Sequence, residues 1–327
     1  MPPTRRLPRL VPLFRDESVD SFLARPAAAN HVDTEELRAL LEVRMLKKTP
    51  ITALREPLAT VSGYTEHQLP LALPEFITVK NTDTPGLVDR PLINDRTPQR
   101  PACRLCTLRA GIAEPVICWM THDRYVCLRH WLWIGDGCQN PDGQVDISPL
   151  PATVLAHRQH RNLIARHGRR WVNLAFHDAK KIFLAWKERY EFGPEEAIVR
   201  RLTALTYPSG KSVADGLALA AGFHPEIVAR SGLLASDHWE RTALRDGGLA
   251  PFIGEVSSRG IVVGYEPDDI DDPLIKWVRD RLTHYKFALH HAGWDTLSLI
   301  LRNETTRRAT NQPTKDFRTC PLTFPRY

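Results

Sequence analysis

The stretches "CRLC", residues Cys103–Cys106, and "CLRH", residues Cys127–His130, each contain two soft metal ligands with two residues between them. Such a gap lets one tight turn aim both side chains at the same ion, and zinc takes four such ligands in a tetrahedron. Four protein ligands leave no coordination position for water or substrate. The pattern therefore predicts one structural zinc ion per chain, bound by Cys103, Cys106, Cys127 and His130; free buried cysteines or a disulfide are the alternatives.

The other cysteines lack a second ligand at this spacing. We interpret Cys118 and Cys138 as small buried hydrophobic side chains, with either one as an alternative to His130 in the metal site. Six cysteines in 327 residues are too few for a disulfide scaffold. The N-terminal "MPPTRRLPRLVPLF" has no long apolar segment, and no apolar run reaches the length of about 18 residues that a membrane span needs. We expect a cytoplasmic protein.

The predicted fold is mainly α and multidomain. Residues 1–98 form an N-terminal helical region, residues 99–148 a small zinc-binding module of short strands and turns, residues 149–310 a C-terminal helical domain, and residues 311–327 an irregular tail. The proline-rich segment "NTDTPGLVDRPLINDRTPQRP", residues 81–101, is typical of a linker or an extended loop.

Local signals place several helix ends. Asp16 or Ser18 is the expected N-cap of a first helix, which Pro26 should kink or break. Asp33 or Thr34 should cap a second helix. A stripe of aromatic and aliphatic residues from Trp171 to Trp186 predicts a long core helix. Gly222 should end a helix that begins near Ser212.

One segment matches a helix-turn-helix unit, a common DNA-binding motif. Ala59, Gly63 and Leu69 stand where such a unit has a small contact residue, a turn glycine and a buried apolar residue. Residues 64–68 would then begin the recognition helix, and the predicted DNA contacts are Thr65, His67 and Gln68. An ordinary helix pair is the alternative. The similar pattern Ala218, Gly222 and Val228 indicates plain packing.

Positive charge is concentrated in the middle of the chain. The net charge is +6, and residues 157–189 carry nine arginines and lysines against two acids. Clustered cations release counterions when they bind DNA phosphates. The predicted phosphate contacts are therefore Arg158, Arg161, Arg166, Arg169 and Arg170, which have histidines among them. An acidic protein partner or a solvated helix face is the alternative.

The motifs together resemble the TniQ family of transposition proteins. The resemblance lies in "PLFRDESVDSFLARPAAANHV", in "LATVSGYTEHQLPLALPEF" and in the two cysteine stretches with Trp119 between them. The segments "HRQHRNLIARHGRRWVNLAF" and "DPLIKWV" resemble the longer actinobacterial members. The chain departs from the family at Pro26, where a helix-compatible residue is expected, and at Cys138, which stands alone in place of a second cysteine pair.

The resemblance implies a non-enzymatic adaptor. Family members select a target site on DNA, or dock on an RNA-guided complex, and link that site to a transposition ATPase or transposase complex. The partners implied are thus DNA and such a complex, with an RNA-guided complex and a homodimer as further candidates.

Two other functions stay open on the sequence. A stand-alone DNA-binding transcriptional regulator is the first alternative, in the same cellular setting. A metal-dependent nuclease would use the acidic run "DDIDD", with Asp268, Asp269, Asp271 or Asp272 as ligands. The sequence contains no phosphate-binding loop, dinucleotide fingerprint or zinc-protease motif.

Overall fold

The computed structural model describes residues 5–42, 51–79, 90–91, 93, 97–112, 114–189, 196–206, 215–244, 247–258, 267 and 271–283. This part of the chain is mainly helical, as predicted. It falls into two compact units, the first ending at Asp146 and the second beginning at Ile147. No helix in the described ranges is both long enough and apolar enough to cross a bilayer.

The first unit begins with short helices and ends with short strands. Its helices are α1 (Val19–Ala29), α2 (Thr34–Glu42), α3 (Arg55–Ser62), α4 (Leu69–Ala72) and α5 (Arg104–Arg109). Its strands are β1 (Thr78–Val79), β2 (Arg90–Pro91), β3 (Gln99–Pro101), β4 (Ile117–Trp119), β5 (Val126–Cys127), β6 (Leu132–Trp133) and β7 (Val145–Asp146). The antiparallel pairs are β1 with β2 and β3 with β4, and β5, β6 and β7 form a three-stranded sheet.

Helix α1 begins where the sequence predicts, but it does not break at Pro26. The Ser18 hydroxyl accepts a hydrogen bond from the Ser21 amide at 3.2 Å, which confirms Ser18 as the N-cap. Pro26 is buried inside the helix, which continues to Ala29. The last turn is secured by Asn30, whose side-chain amide donates to the carbonyls of Pro26 and Arg9, both at 2.8 Å.

The segment with the helix-turn-helix pattern contains the expected glycine turn but not the expected recognition helix. Gly63 ends α3 with a φ of 71°, the left-handed conformation that favours glycine. The predicted recognition helix over residues 64–68 does not form, because these residues make a turn and α4 begins only at Leu69. A helix beginning at residue 64 would place Pro70 in its interior, where the ring clashes with the carbonyl four residues earlier.

The N-terminal helices and the cysteine module belong to the same compact unit, which differs from the predicted boundary at residues 98 and 99. The segment before α1 lies along β4. The Ser18 amide donates to the carbonyl of Ile117 at 2.9 Å, and the Trp119 amide donates to the carbonyl of Asp16 at 2.8 Å. The Ser21 hydroxyl also accepts from the Ile117 amide at 2.9 Å. Strand β4 is therefore paired on both edges, with β3 on one side and the N-terminal segment on the other.

The second unit is helical and begins at Ile147, close to the predicted boundary at residues 148 and 149. Its helices are α6 (Pro151–His167), α7 (Arg169–Arg189), α8 (Glu196–Thr206), α9 (Asp215–Leu234), α10 (Asp237–Ala243) and α11 (Leu249–Ser258), followed by α12 over residues 273–283. Most of the predicted stripe, from Ala175 to Trp186, lies on the buried face of α7, whereas Leu174 is exposed. Helices α7 and α6 pack against α9.

Helix α9 runs through the glycine that was expected to end it. Both Gly222 and Pro225 lie inside this 20-residue helix. Pro225 has no amide hydrogen for the carbonyl of Ala221, but the Thr153 hydroxyl of α6 donates to that carbonyl at 3.1 Å. Arg201 of α8 likewise donates to the carbonyl of Gly222 at 2.8 Å. The second helix-turn-helix pattern is therefore packing, as the sequence indicated.

Several segments for which the sequence makes predictions lie outside the described residues. They are the first four residues, most of the proline-rich segment 81–101, the expected helix start near Ser212 and the irregular tail 311–327.

Candidate metal centre and basic helix

The two ligand pairs are placed by tight turns at the ends of short elements. Cys103 directly precedes α5, and Cys106 lies in its first turn, where its amide donates to the Cys103 carbonyl at 3.0 Å. Cys127 ends β5, and the amide of His130 donates to the Cys127 carbonyl at 3.2 Å. Trp131 follows with a φ of 52°, a left-handed conformation that a bulky side chain adopts rarely.

The four predicted ligands converge on one point. Their ligand atoms all lie within 4.8 Å of one another, so this cluster could hold a metal ion. The Sγ atoms of Cys106 and Cys127 are 3.7 Å apart. The Nδ1 atom of His130 lies 3.4 Å from the Cys103 sulfur, 3.3 Å from the Cys106 sulfur and 3.6 Å from the Cys127 sulfur.

These separations fit a tetrahedral site. Zinc–sulfur bonds of about 2.3 Å and zinc–nitrogen bonds of about 2.0–2.1 Å, set at tetrahedral angles, require about 3.8 Å between sulfurs and about 3.6 Å from sulfur to nitrogen. The observed distances of 3.3–3.7 Å are close to these values. Side chains that carry three sulfurs and one imidazole nitrogen are thus already arranged as a ligand set.

The electrostatics of the cluster also suit a cation. Hydrogen bonds from Cys103 and Cys106 lower the pKa of the Cys127 thiol. The pKa of Cys106 is raised by its hydrogen bonds with Cys103 and then with Cys127, and by burial. Negative charges this close together disfavour one another, so the three thiols resist ionising together without a compensating positive charge. A divalent cation would stabilise all three as thiolates.

A buried glutamine supports the first ligand pair. The Gln144 side chain donates to the Ala102 carbonyl at 2.6 Å and accepts from the Arg104 amide at 2.9 Å, so it holds the backbone on both sides of Cys103. Apolar side chains enclose the cluster, among them Phe14 from the N-terminal segment and Ile134. No motif in the sequence indicated the role of Gln144.

The two remaining described cysteines of this unit lie outside the ligand cluster. Cys118 is fully buried in β4, and burial raises the pKa of its thiol to about 12. Cys138 is also buried, and burial raises its pKa as well. Both thus occupy buried positions, as predicted, and His130 completes the four-residue cluster.

The predicted basic cluster divides between two helices. Arg158, Arg161 and Arg166 are exposed on α6, whereas Arg169 is half-buried at the start of α7. The side chain of Arg170 lies outside the described structure. Helix α6, "PATVLAHRQHRNLIARH", contains no acidic residue, so its exposed face is uniformly positive or neutral.

Two of the histidines among these arginines face the other way. His157 and His160 are buried on the inner side of α6, where they meet His224 of α9. Nδ1 of His157 lies 3.4 Å from Nε2 of His224. Burial, followed by the charges of His157 and His160, lowers the pKa of His224 well below its usual value. The sequence suggested phosphate contact for this group of residues, but His157 and His160 belong to the core, whereas His167 is half-buried.

The predicted DNA contacts in the first unit lie in the turn before α4. Thr65 and His67 are exposed and Gln68 is half-buried. The Gln68 side chain accepts from the Thr65 amide at 2.8 Å, so it stabilises the turn. Since no recognition helix forms here, these residues stay predictions without the helical geometry that suggested them.

The acidic run of the nuclease alternative is described only at its end. Asp268 and Asp269 lie outside the described residues, and Asp271 is exposed. Asp272 is fully buried. One of its carboxylate oxygens accepts from the amides of Leu274 and Ile275 at the start of α12, and the other accepts from the Trp186 indole at 3.1 Å. Asp272 therefore acts as a helix N-cap in the core.

Comparison with known proteins gave no match, whether with family models, with curated proteins or with solved structures. The family resemblance therefore rests on the motifs in the sequence and stays a prediction.

Proposed function

We propose that the chain is a DNA-associated adaptor of the TniQ type, which selects a transposition target site and links it to a transposition ATPase. In this proposal the protein has no catalytic chemistry of its own. It works in the cytoplasm, where its partners are DNA and a transposition complex. The family resemblance supplies the biological setting, and the geometry of two sites supplies the physical support.

The observation that carries the proposal is the exposed face of α6. Arg158, Arg161 and Arg166 are all exposed on α6, and this helix itself contains no acidic residue. A polyanion of high charge density releases its condensed counterions when such a cluster binds it, and this release favours binding. A small anion has no such counterions to release. DNA is therefore the partner that this face fits best.

The cysteine cluster supports a structural role for zinc. Four protein ligands fill a tetrahedral site, so the ion would have no open position at which to activate water or substrate. The ion would instead hold α5 against β5 and the turn after it. A stretch with strands of two or three residues has little apolar surface of its own, and regions of this kind are commonly stabilised by a metal.

The first experiment measures DNA binding as a function of salt. The double variant Arg158→Gln/Arg166→Gln removes two proposed phosphate contacts. We expect weaker binding to every duplex and a plot of log affinity against log salt that is less steep by about two units. The matched control is Arg241→Gln/Arg279→Gln, which removes the same charge from exposed positions on α10 and α12.

Three results bear on this proposal. Failure of the wild-type chain to bind any duplex at low salt would refute the DNA contact. Equal salt slopes for the two double variants would show that α6 binds no phosphates. Binding to a transposition ATPase encoded beside the gene would separate the adaptor from a stand-alone transcriptional regulator, which needs no such partner.

A further inference from the structure

The exposed face of α6 contains side-chain amides as well as arginines. Gln159 and Asn162 are both exposed, and they lie between Arg158 and Arg166 along the helix. An arginine suffices to bind a phosphate, whose recognition carries no sequence information. An amide places one donor beside one acceptor, which is the pattern that matches the N6 and N7 atoms of adenine in the major groove.

The spacing of the two amides suits a base stack. Gln159 and Asn162 are three residues apart and therefore share one side of the helix. Their separation along the helix axis is about 4.5 Å at a rise of about 1.5 Å per residue. Base pairs in DNA repeat at about 3.4 Å, so two such side chains can address neighbouring pairs.

A recess beside the amides combines polar and apolar side chains. It measures about 430 Å³ and lies between α6 and α9. Gln159, Asn162 and Arg166 form its polar side, and the rest is lined by Leu163, Val228, Ala229 and Gly232. Apolar side chains next to base-reading amides can receive the methyl group of thymine, the partner of adenine.

The opposite side of α6 is fixed in the core. Thr153 donates to the Ala221 carbonyl of α9 at 3.1 Å, and His157 contacts His224 of the same helix at 3.4 Å. His160 packs against Phe176 of α7, with 4.8 Å between ring centroids. A reading face held by rigid packing presents its side chains in a defined register.

We propose that α6 is a recognition helix, in which Gln159 and Asn162 read adenine-containing base pairs in the major groove while Arg158 and Arg166 bind the flanking phosphates. This inference rests on the proposed DNA contact and specifies how it selects a sequence. It also transfers the reading role from the turn at Thr65–Gln68 to the second compact unit.

The test is selection of duplexes from a randomised DNA library by the full chain. The wild type should enrich sites that share adenine at one or more fixed positions. The variant Gln159→Ala/Asn162→Ala should lose at least about fivefold in preference for those sites, since each bidentate contact discriminates by that much or more. Its affinity for unselected duplexes should stay within about twofold, because the phosphate contacts remain. The matched control is Gln139→Ala, an exposed amide in the first unit.

A second variant gives a positive readout. Arginine pairs with the O6 and N7 atoms of guanine, so Gln159→Arg should shift one selected position from adenine to guanine. The inference is refuted if the wild type binds DNA without preference, or if either variant selects the same sites as the wild type; the DNA contact itself then stands. Absence of all duplex binding by the wild type would overturn both the proposed function and this inference.

Discussion

The buried ion pair between Glu17 and Arg25 provides a quantitative test of how the first unit is held together. Glu17 is 0% exposed and Arg25 is 2% exposed. The guanidinium donates to one carboxylate oxygen at 2.8 Å and to the other at 2.5 Å, and it also donates to the Pro12 carbonyl at 2.7 Å. Replacing Arg25 with Met keeps most of the apolar stem and removes all three hydrogen bonds.

The expected loss follows from these contacts. Two hydrogen bonds to a charged group contribute about 1.5–3 kcal/mol each, or about 3–6 kcal/mol together. Breaking a buried pair by removing one partner costs about 3–5 kcal/mol, which agrees with that sum. We therefore expect Arg25→Met to lower the free energy of unfolding of the first unit by about 3–5 kcal/mol at neutral pH. The double variant Glu17→Gln/Arg25→Met leaves no unpaired charge and should recover most of that loss.

The loss should also depend on pH. Burial raises the pKa of Glu17, and the hydrogen bond and charge of Arg25 oppose that rise. In Arg25→Met the opposing contributions are absent, so the folded pKa rises further above the unfolded value. When the pKa of a carboxyl is higher in the folded state than in the unfolded state, its contribution to stability is fully present below the unfolded pKa. That contribution is lost as the pH rises through the folded pKa. The penalty of Arg25→Met should therefore be smaller at pH 5 than at pH 8.

Hydrogen exchange measures this effect within each unit. Amides of α1 should exchange faster in Arg25→Met, and amides of α7, in the second unit, serve as the internal reference. The reasoning fails if the single and double variants protect α1 equally, if the loss is under about 1 kcal/mol, or if it grows on acidification.

Four further predictions concern the metal site, the protonation of a buried histidine and two glycines. Cys106→Ser should abolish metal binding at the cysteine cluster and reduce amide protection both in the cysteine module and in α1, because the two share β4. Metal analysis with hydrogen exchange would show this, and unchanged protection of α1 would contradict it. The pKa of His224 is lower in the folded state than in the unfolded state. Its contribution to the stability of the second unit is therefore present above the unfolded pKa and is lost as the pH falls through the folded pKa. His224→Phe should unfold at a lower pH than the wild type, as followed by circular dichroism. Gly168→Ala should destabilise by about 1–3 kcal/mol because Gly168 has φ 83° and ψ 149°. Gly254→Ala, in the middle of α11 with open space around it, should stabilise by up to about 1 kcal/mol in the same thermal unfolding measurements.

Features governed by neighbours along the chain could be predicted from the sequence. Ser18 caps α1 through an amide three residues away, and Asp33 accepts from the amides of Glu35 and Glu36 at the start of α2. The cysteine cluster belongs to the same class, since each ligand pair is set by one turn. The two-residue gap within each ligand pair therefore predicts all four residues of the cluster from the sequence alone.

Features that depend on distant partners could not be predicted in this way. The sequence predicted a helix end at Gly222, but α9 continues through Pro225, where Thr153 from another helix donates to the Ala221 carbonyl. The predicted domain boundary near residue 98 is absent for the same reason. The N-terminal segment pairs with β4, and no residues near that segment in the sequence indicate this pairing. The inward orientation of His157 likewise depends on where α9 packs.

The pairing of residues 16–18 with β4 has a consequence for how the protein is made. The bridge from Glu17 to Cys118 joins positions about a hundred residues apart. At about 5–20 residues per second, the ribosome adds the second partner about 5–20 s after the first. During that interval the edge of the N-terminal segment has no partner strand. We therefore expect the N-terminal segment to be open to aggregation until β4 has been synthesised.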